Sequence, residues 1–156
     1  MKENQIYWRL RLKLNEGLKL TDKEIRYISL FEAMLNIPVI DCIENEELVV
    51  FVIENGKLKY LLQNGGKKIK QFSYLIKKKL KIIEYSQDTA TFIKNALLPA
   101  KVIDLRLTEK PNGKKMVVVM IDPNQKGLAI GKNGKTIELV RYLARRHHNV
   151  DKIIVI

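Results

Sequence analysis

The sequence has one cysteine, one tryptophan and two histidines, and only 7% of its residues are aromatic. With Cys42 alone, no disulfide can close within the chain. Cys42 sits in an apolar run with Val39, Ile40 and Ile43, where a thiol behaves as a small buried hydrophobe. His147 and His148 are adjacent, so their rings diverge, and no Cys or acid cluster stands by to complete a metal site. They read as exposed loop histidines. No window approaches the roughly 18 uninterrupted apolar residues that suggest a membrane helix, and charges break up the N-terminus where a secretion signal would need an apolar core. A cytoplasmic protein without membrane contact is expected. No Ser/His/Asp or Cys/His arrangement has supporting context, so an enzyme, a cofactor and a small-molecule substrate are all unexpected.

Acids are in deficit. Lys and Arg number 29 against 17 Asp and Glu, a formal net charge of +12, which suits a polyanionic partner. The imbalance is also segregated. From Gly65 to Lys81 there are seven lysines and no acid, whereas Asp41, Glu44, Glu46, Glu47 and Glu54 share one short stretch. One basic surface meeting phosphates would produce this distribution.

Hydrophobic residues make up 46% of the 156-residue chain, enough for one core or two small ones. Trp8 to Leu14 alternates apolar with basic residues and reads as a half-buried strand. Thr21 followed by Glu24 forms a capping-box pattern, opening a helix through Ile25, Ile28, Leu30, Phe31 and Leu35 that Pro38 ends. Strands Val39–Ile43 and Leu48–Ile53 follow. A short run at Leu58 to Leu62 leads into Gln63-Asn64-Gly65-Gly66, a helix with Ile69, Phe72, Leu75, Ile76 and Leu80 inside, and a strand at Lys81–Tyr85. The order then repeats: a helix from Thr89 to Leu98, strands Val102–Leu107 and Met116–Ile121 around Pro111-Asn112-Gly113, the run Gly127–Ile130, a Gly131–Gly134 turn, a helix through Ile137, Val140, Leu143 and Ala144, and a strand at Ile153–Ile156. A shift of 68 positions lays Gly66 on Gly134, Lys67 on Lys135, Ile69 on Ile137 and Leu62 on Ile130. A duplicated α/β unit is expected.

Ile130-Gly131-Lys132-Asn133-Gly134-Lys135 lies between two helical segments. Glycines on both sides let the backbone turn sharply and approach a ligand closely, and the second helix presents free N–H groups and its positive dipole end there. Such a place suits a phosphate. Lys132 and Lys135 add charge, and Asn133 tolerates left-handed angles while offering amide donors. The bend resembles the GxxG signature of the KH fold, whose loop clamps the backbone of four unpaired nucleotides. The alternative is a Gly-rich helix–helix turn with solvated lysines. Ala129 to Thr136 also sits one residue from a Walker A loop, but no strand feeds it directly and only 20 residues follow, too few for further βα units. Val117, Val119 and Ile121 are expected either to wall the groove beside the loop or to face the core. Arg141 and Arg145, four apart, share a helix face that flanks the strand's phosphates or is merely solvated.

The segments Glu24–Ile28, Ile83–Ser86, Phe92–Asn95, Leu98–Val102 and Gly127–Gly134 together resemble archaeal NusA, from about Leu18 onward. The resemblance implies two tandem type II KH domains, of class α/β (α+β), each a three-stranded mixed sheet with helices on one face. It implies single-stranded RNA as ligand, a role in transcription elongation or termination, and RNA polymerase or other transcription proteins as partners. The expected boundaries are 1–17 for an extension carrying the extra strand, 18–87 for the first domain and 88–156 for the second. Gln63 stands where the first domain's leading glycine belongs, so Asn64, Gly65, Gly66, Lys67 and Lys68 form a degenerate site, with the lysines as an electrostatic docking surface. Bacterial NusA proteins also carry a polymerase-binding domain and an OB-type barrel, for which no room is expected here. An rRNA-processing or ribosome-assembly factor would use the same platform. A protein-interaction module with a basic face is the reading from another class.

Overall fold

In the computed structural model, which describes residues 20–156, the chain separates after Tyr85 into two units with one order of elements. The strand expected at Trp8–Leu14 lies outside the described residues. The first unit runs α1 (Asp22–Leu35), β1 (Val39–Glu44), β2 (Leu48–Ile53), α2 (Leu58–Leu61), a 3-10 turn (Gln63–Gly66), α3 (Lys67–Ile76) and β3 (Lys79–Glu84). A short turn joins β1 to β2, so they pair antiparallel; the helical crossover between β2 and β3 makes that pair parallel. The sheet order is β1-β2-β3. No helix among the described residues is long and apolar enough to cross a membrane.

The capping box at the start of α1 is formed. Thr21 Oγ1 accepts from the Glu24 amide at 3.1 Å, and Glu24 Oε1 accepts from the Thr21 amide at 3.0 Å. Glu24 Oε2 also accepts from the Glu44 amide at 3.1 Å, tying the helix start to the end of β1. The helix stops at Asn36, which is left-handed (φ 55°), with Pro38 two residues on. Phe31, Phe51 and Phe72 are fully buried and meet with centroids 4.4, 5.4 and 5.6 Å apart. Such pairs add about 0.5–1.5 kcal/mol each beyond burial. Cys42 is buried beside them in the same core.

Two residues given to the inner face of α3 are placed otherwise. Leu75 is 54% exposed, because Ile69, Phe72 and Ile76 define the buried stripe and Leu75 falls about 100° round the helix from Ile76. Leu80 belongs to β3, since Lys77 turns left-handed (φ 58°) and ends the helix.

The second unit runs α4 (Thr89–Leu97), β4 (Val102–Glu109), β5 (Lys115–Ile121), α5 (Lys126–Ile130), a 3-10 turn (Lys132–Gly134), α6 (Lys135–His148) and β6 (Val150–Val155), with sheet order β4-β5-β6. Its hairpin turns at Pro111-Asn112-Gly113, where Asn112 Oδ1 accepts from the Lys114 amide at 3.0 Å. Phe92, Ile93, Leu97, Val117, Val119, Val140 and Leu143 fill the core. The 68-residue repeat holds from β2 through α3. It then slips, because α6 has 14 residues and α3 has 10.

The histidines are not in a loop. Both close α6, and His148 is buried against Phe92, with ring centroids 4.9 Å apart. Its Nε2 lies 2.8 Å from the Ser86 carbonyl, so that nitrogen carries the proton and donates. Nδ1 then accepts from Thr89 Oγ1 at 3.0 Å, and Lys115 Nζ donates to the same hydroxyl oxygen at 3.1 Å. A second proton on the ring would face the Thr89 hydroxyl hydrogen. Burial pushes the pKa of His148 below its ordinary 6.5. The unfolded chain therefore takes up a proton first as pH falls. Stability contributed by neutral His148 is complete above pH 6.5 and declines as pH drops from there toward the lowered folded value. Urea midpoints at pH 7.5 and pH 5 should differ more for the native chain than for His148→Gln.

Candidate nucleic-acid interface

The bend in the second unit is built by its glycines. Helix α5 ends when Gly131 gives its amide to the Gly127 carbonyl at 2.9 Å and swings to φ 77°, ψ 172°. A Cβ on Gly131 would lie 2.7 Å from Thr136 Cβ and 2.9 Å from the Thr136 amide nitrogen. No side chain fits there. Asn133 (φ 55°, ψ 27°) and Gly134 (φ 72°, ψ 13°) then take left-handed angles and bring the chain into α6. Gly134 donates to the Gly131 carbonyl at 3.1 Å, and the Lys135 amide to the carbonyl of Lys132. Lys132 and Asn133 are exposed, and neither amide is engaged by another group among the described residues. Both lie at the N-terminal end of a 14-residue helix, where the dipole favours an anion.

An open groove of about 530 Å³ runs from this bend, lined by Ile130, Gly134, Ile137, Arg141 and Arg145 on one side and Val150–Val155 on the other. Its strand wall is β6, not β5. Val117, Val119 and Ile121 are at most 1% exposed and face the core. β6 is an edge strand. Ile156 exchanges hydrogen bonds with Val119 and Ile121 of β5, so by strand alternation Ile153 and Val155 turn their backbone groups to the unpaired edge. Arg141 reaches that edge, donating to the Ile153 carbonyl from Nε at 3.3 Å and Nη2 at 3.1 Å. Asp151 is the one acid in the lining, and Lys110 Nζ holds it at 2.8 Å. That hydrogen bond keeps its carboxyl below the usual carboxylate range. Lys135 leans toward Glu138 at 3.9 Å, which leaves Lys132 as the more available cation of the bend.

The first unit's turn is a different object. Gln63 has no left-handed angle; Asn64 (φ 54°), Gly65 (φ 68°) and Gly66 (φ 72°) take it up in succession. The sharp leading corner made by Gly131 is therefore absent. Lys67, Lys68, Lys70, Lys77 and Lys79 face solvent. Lys78 instead bonds Glu44 Oε2 at 2.7 Å and the Asn45 carbonyl at 2.9 Å, and Lys81 is half-buried. Tyr60 is 52% exposed, with Lys57 and Lys59 within 5.6 and 5.3 Å of its ring.

Ile130, Gly131, Lys132, Asn133, Gly134, Lys135, Arg141 and Arg145 all lie at this bend or along the groove beside it. The β6 wall was not named from sequence. Parallel pairing after a helical crossover, with β5 central, was the available signal. Gly131→Ala should cost about 2–3 kcal/mol from strain and clash, while Gly134→Ala, whose Cβ would meet only Ile137 Cγ2 at 4.0 Å, should cost about 1 kcal/mol. Urea unfolding of the two variants checks the order.

Residues 89–155 match the family model described as NusA-like second KH domain. The probable transcription termination protein NusA of Methanocaldococcus jannaschii is 34% identical over 140 residues, covering 89% of this chain and 75% of that protein. The protein of the same name from Thermoplasma acidophilum is 29% identical, covering 92% and 99%. A solved structure described as "Crystal structure of APE1850" superposes with a TM-score of 0.70 at 29% identity, over 88% of this chain and all of that one. By these matches, the chain belongs to the archaeal NusA family.

Proposed function

We propose that this chain binds unpaired RNA and acts in transcription elongation or termination, as the names of its relatives suggest. The second unit holds the sugar-phosphate backbone at Gly131–Gly134 and lays the bases along the groove between α6 and β6. What carries this reading is the exposed bend, with the Lys132 and Asn133 amides unengaged among the described residues beside a groove and an unpaired strand edge. A phosphate there receives backbone N–H donors, a helix dipole and a lysine, and hydrogen bonds to a charged group contribute roughly 1.5–3 kcal/mol each. The first unit adds charge without the clamp: Asn64, Gly65 and Gly66 lack the leading corner, and Lys67 and Lys68 supply electrostatic docking. RNA polymerase or other transcription proteins would be the protein partners, in the cytoplasm.

Affinity for single-stranded RNA should fall with salt, at a log–log slope of about −0.7 per neutralised phosphate. Lys132→Asp with Asn133→Asp should abolish binding at physiological salt without lowering the thermal midpoint, because both glycines remain. Asn64→Asp with Lys67→Asp should weaken binding less and reduce the slope. Binding that survives the first pair intact would remove the bend from the interface.

A further inference from the structure

We infer that Arg141 sets which class of base the second unit's groove accepts, favouring keto bases over amino bases; this rests on the RNA reading above. An unpaired strand edge normally offers a base both carbonyl acceptors and amide donors. Here the Ile153 carbonyl points to the open edge inside the groove, and the Arg141 guanidinium already occupies it through Nε and Nη2. A guanidinium has five N–H donors and no acceptor. With Nε and Nη2 on Ile153, three of its N–H donors remain on a side chain that lines the groove. The edge has thereby been changed from an acceptor to a donor at this point.

Base chemistry follows from that inversion. Uracil and guanine present a keto oxygen, O4 or O6, that a guanidinium N–H satisfies. Adenine and cytosine present an exocyclic amino group, N6 or N4, that needs an acceptor such as the covered carbonyl. An amino base can meet Arg141 only by turning a ring nitrogen or O2 to it, with its amino group then left to water, whereas a keto base meets the guanidinium directly through its exocyclic oxygen.

The repeat shows that the fold does not require this arrangement. The matching position in the first unit, 68 residues earlier, is Ser73, whose hydroxyl donates to the Lys78 carbonyl at 2.8 Å. A short side chain there keeps to its own helix end and places no guanidinium on β3.

The test compares binding of the full chain to oligo(U), oligo(C) and oligo(A) of about eight nucleotides, long enough for the four that such a loop clamps, by fluorescence polarisation. The native chain should bind oligo(U) most tightly. In Arg141→Met the preference for oligo(U) over oligo(C) and oligo(A) should fall by about fivefold or more, the worth of one hydrogen bond. Arg141→Lys keeps the charge but loses the planar fork, and should lose the preference as well. Because the ratio among oligomers does not depend on the folded fraction, partial destabilisation of a variant leaves the readout intact. An equal loss for all three oligomers in Arg141→Met, restored in Arg141→Lys, would make this residue a phosphate contact and overturn the inference while RNA binding stands. Failure of the native chain to bind any oligomer, or binding untouched by the Lys132→Asp, Asn133→Asp pair, would instead remove the RNA reading and the inference with it.

Discussion

Gly131 is pressed against Thr136 so closely that only hydrogen fits at its Cα, and the shape of the candidate site depends on that contact. The corner ends α5, turns the chain within three residues and starts α6, leaving the Lys132 and Asn133 amides just before it unengaged among the described residues. A side chain at this position would have to push the Thr136 backbone away, and α6 would start elsewhere. The groove would move with it, because Ile137, Arg141 and Arg145 are carried on that helix. One steric exclusion therefore sets where a ligand's charge could be met and where the rest of it could lie.

The two units separate what the fold requires from what this corner adds. Both have an antiparallel and a parallel strand pair, a short helix, a turn and a longer helix. Only the second has a positive φ at the turn's leading position; the first, with Gln63 there, begins its left-handed residues one place later at Asn64, while Gly65 and Gly66 match Asn133 and Gly134. The first unit's helix also ends four residues sooner and carries Ser73 in place of Arg141. In the proposed role its exposed lysines would supply attraction at a distance, and the second unit the geometry.

Much of this was legible in the residues. The Thr21–Glu24 box, the glycine spacing and the offset of 68 are local patterns, and each corresponds to a local physical requirement: unsatisfied amides, positive φ, and a duplicated crossover. What escaped was partly local capping and partly set by tertiary neighbours. Asp88, rather than a residue of the apolar pattern, caps α4, its Oδ2 accepting from the Thr91 amide at 3.0 Å and hydroxyl at 2.6 Å. β3 and β6 begin earlier than their apolar runs suggest, because left-handed Lys77 and Asn149 let the chain leave each helix directly into polar strand residues. Alternation at Val117, Val119 and Ile121 suits both a core and a groove wall, and their burial decides for the core. His148 reads as a surface residue in the sequence, yet Thr89, Ser86 and Phe92 surround it in the fold.

Amide chemical shifts report this geometry at single-residue resolution. With the full chain labelled with nitrogen-15 and titrated with an unpaired RNA of about eight nucleotides, the Lys132 and Asn133 amides should shift furthest, followed by Ile153 and Val155 on the open strand edge. Shifts confined to other surfaces, with those four amides unmoved at saturation, would contradict a phosphate seat at the glycine corner.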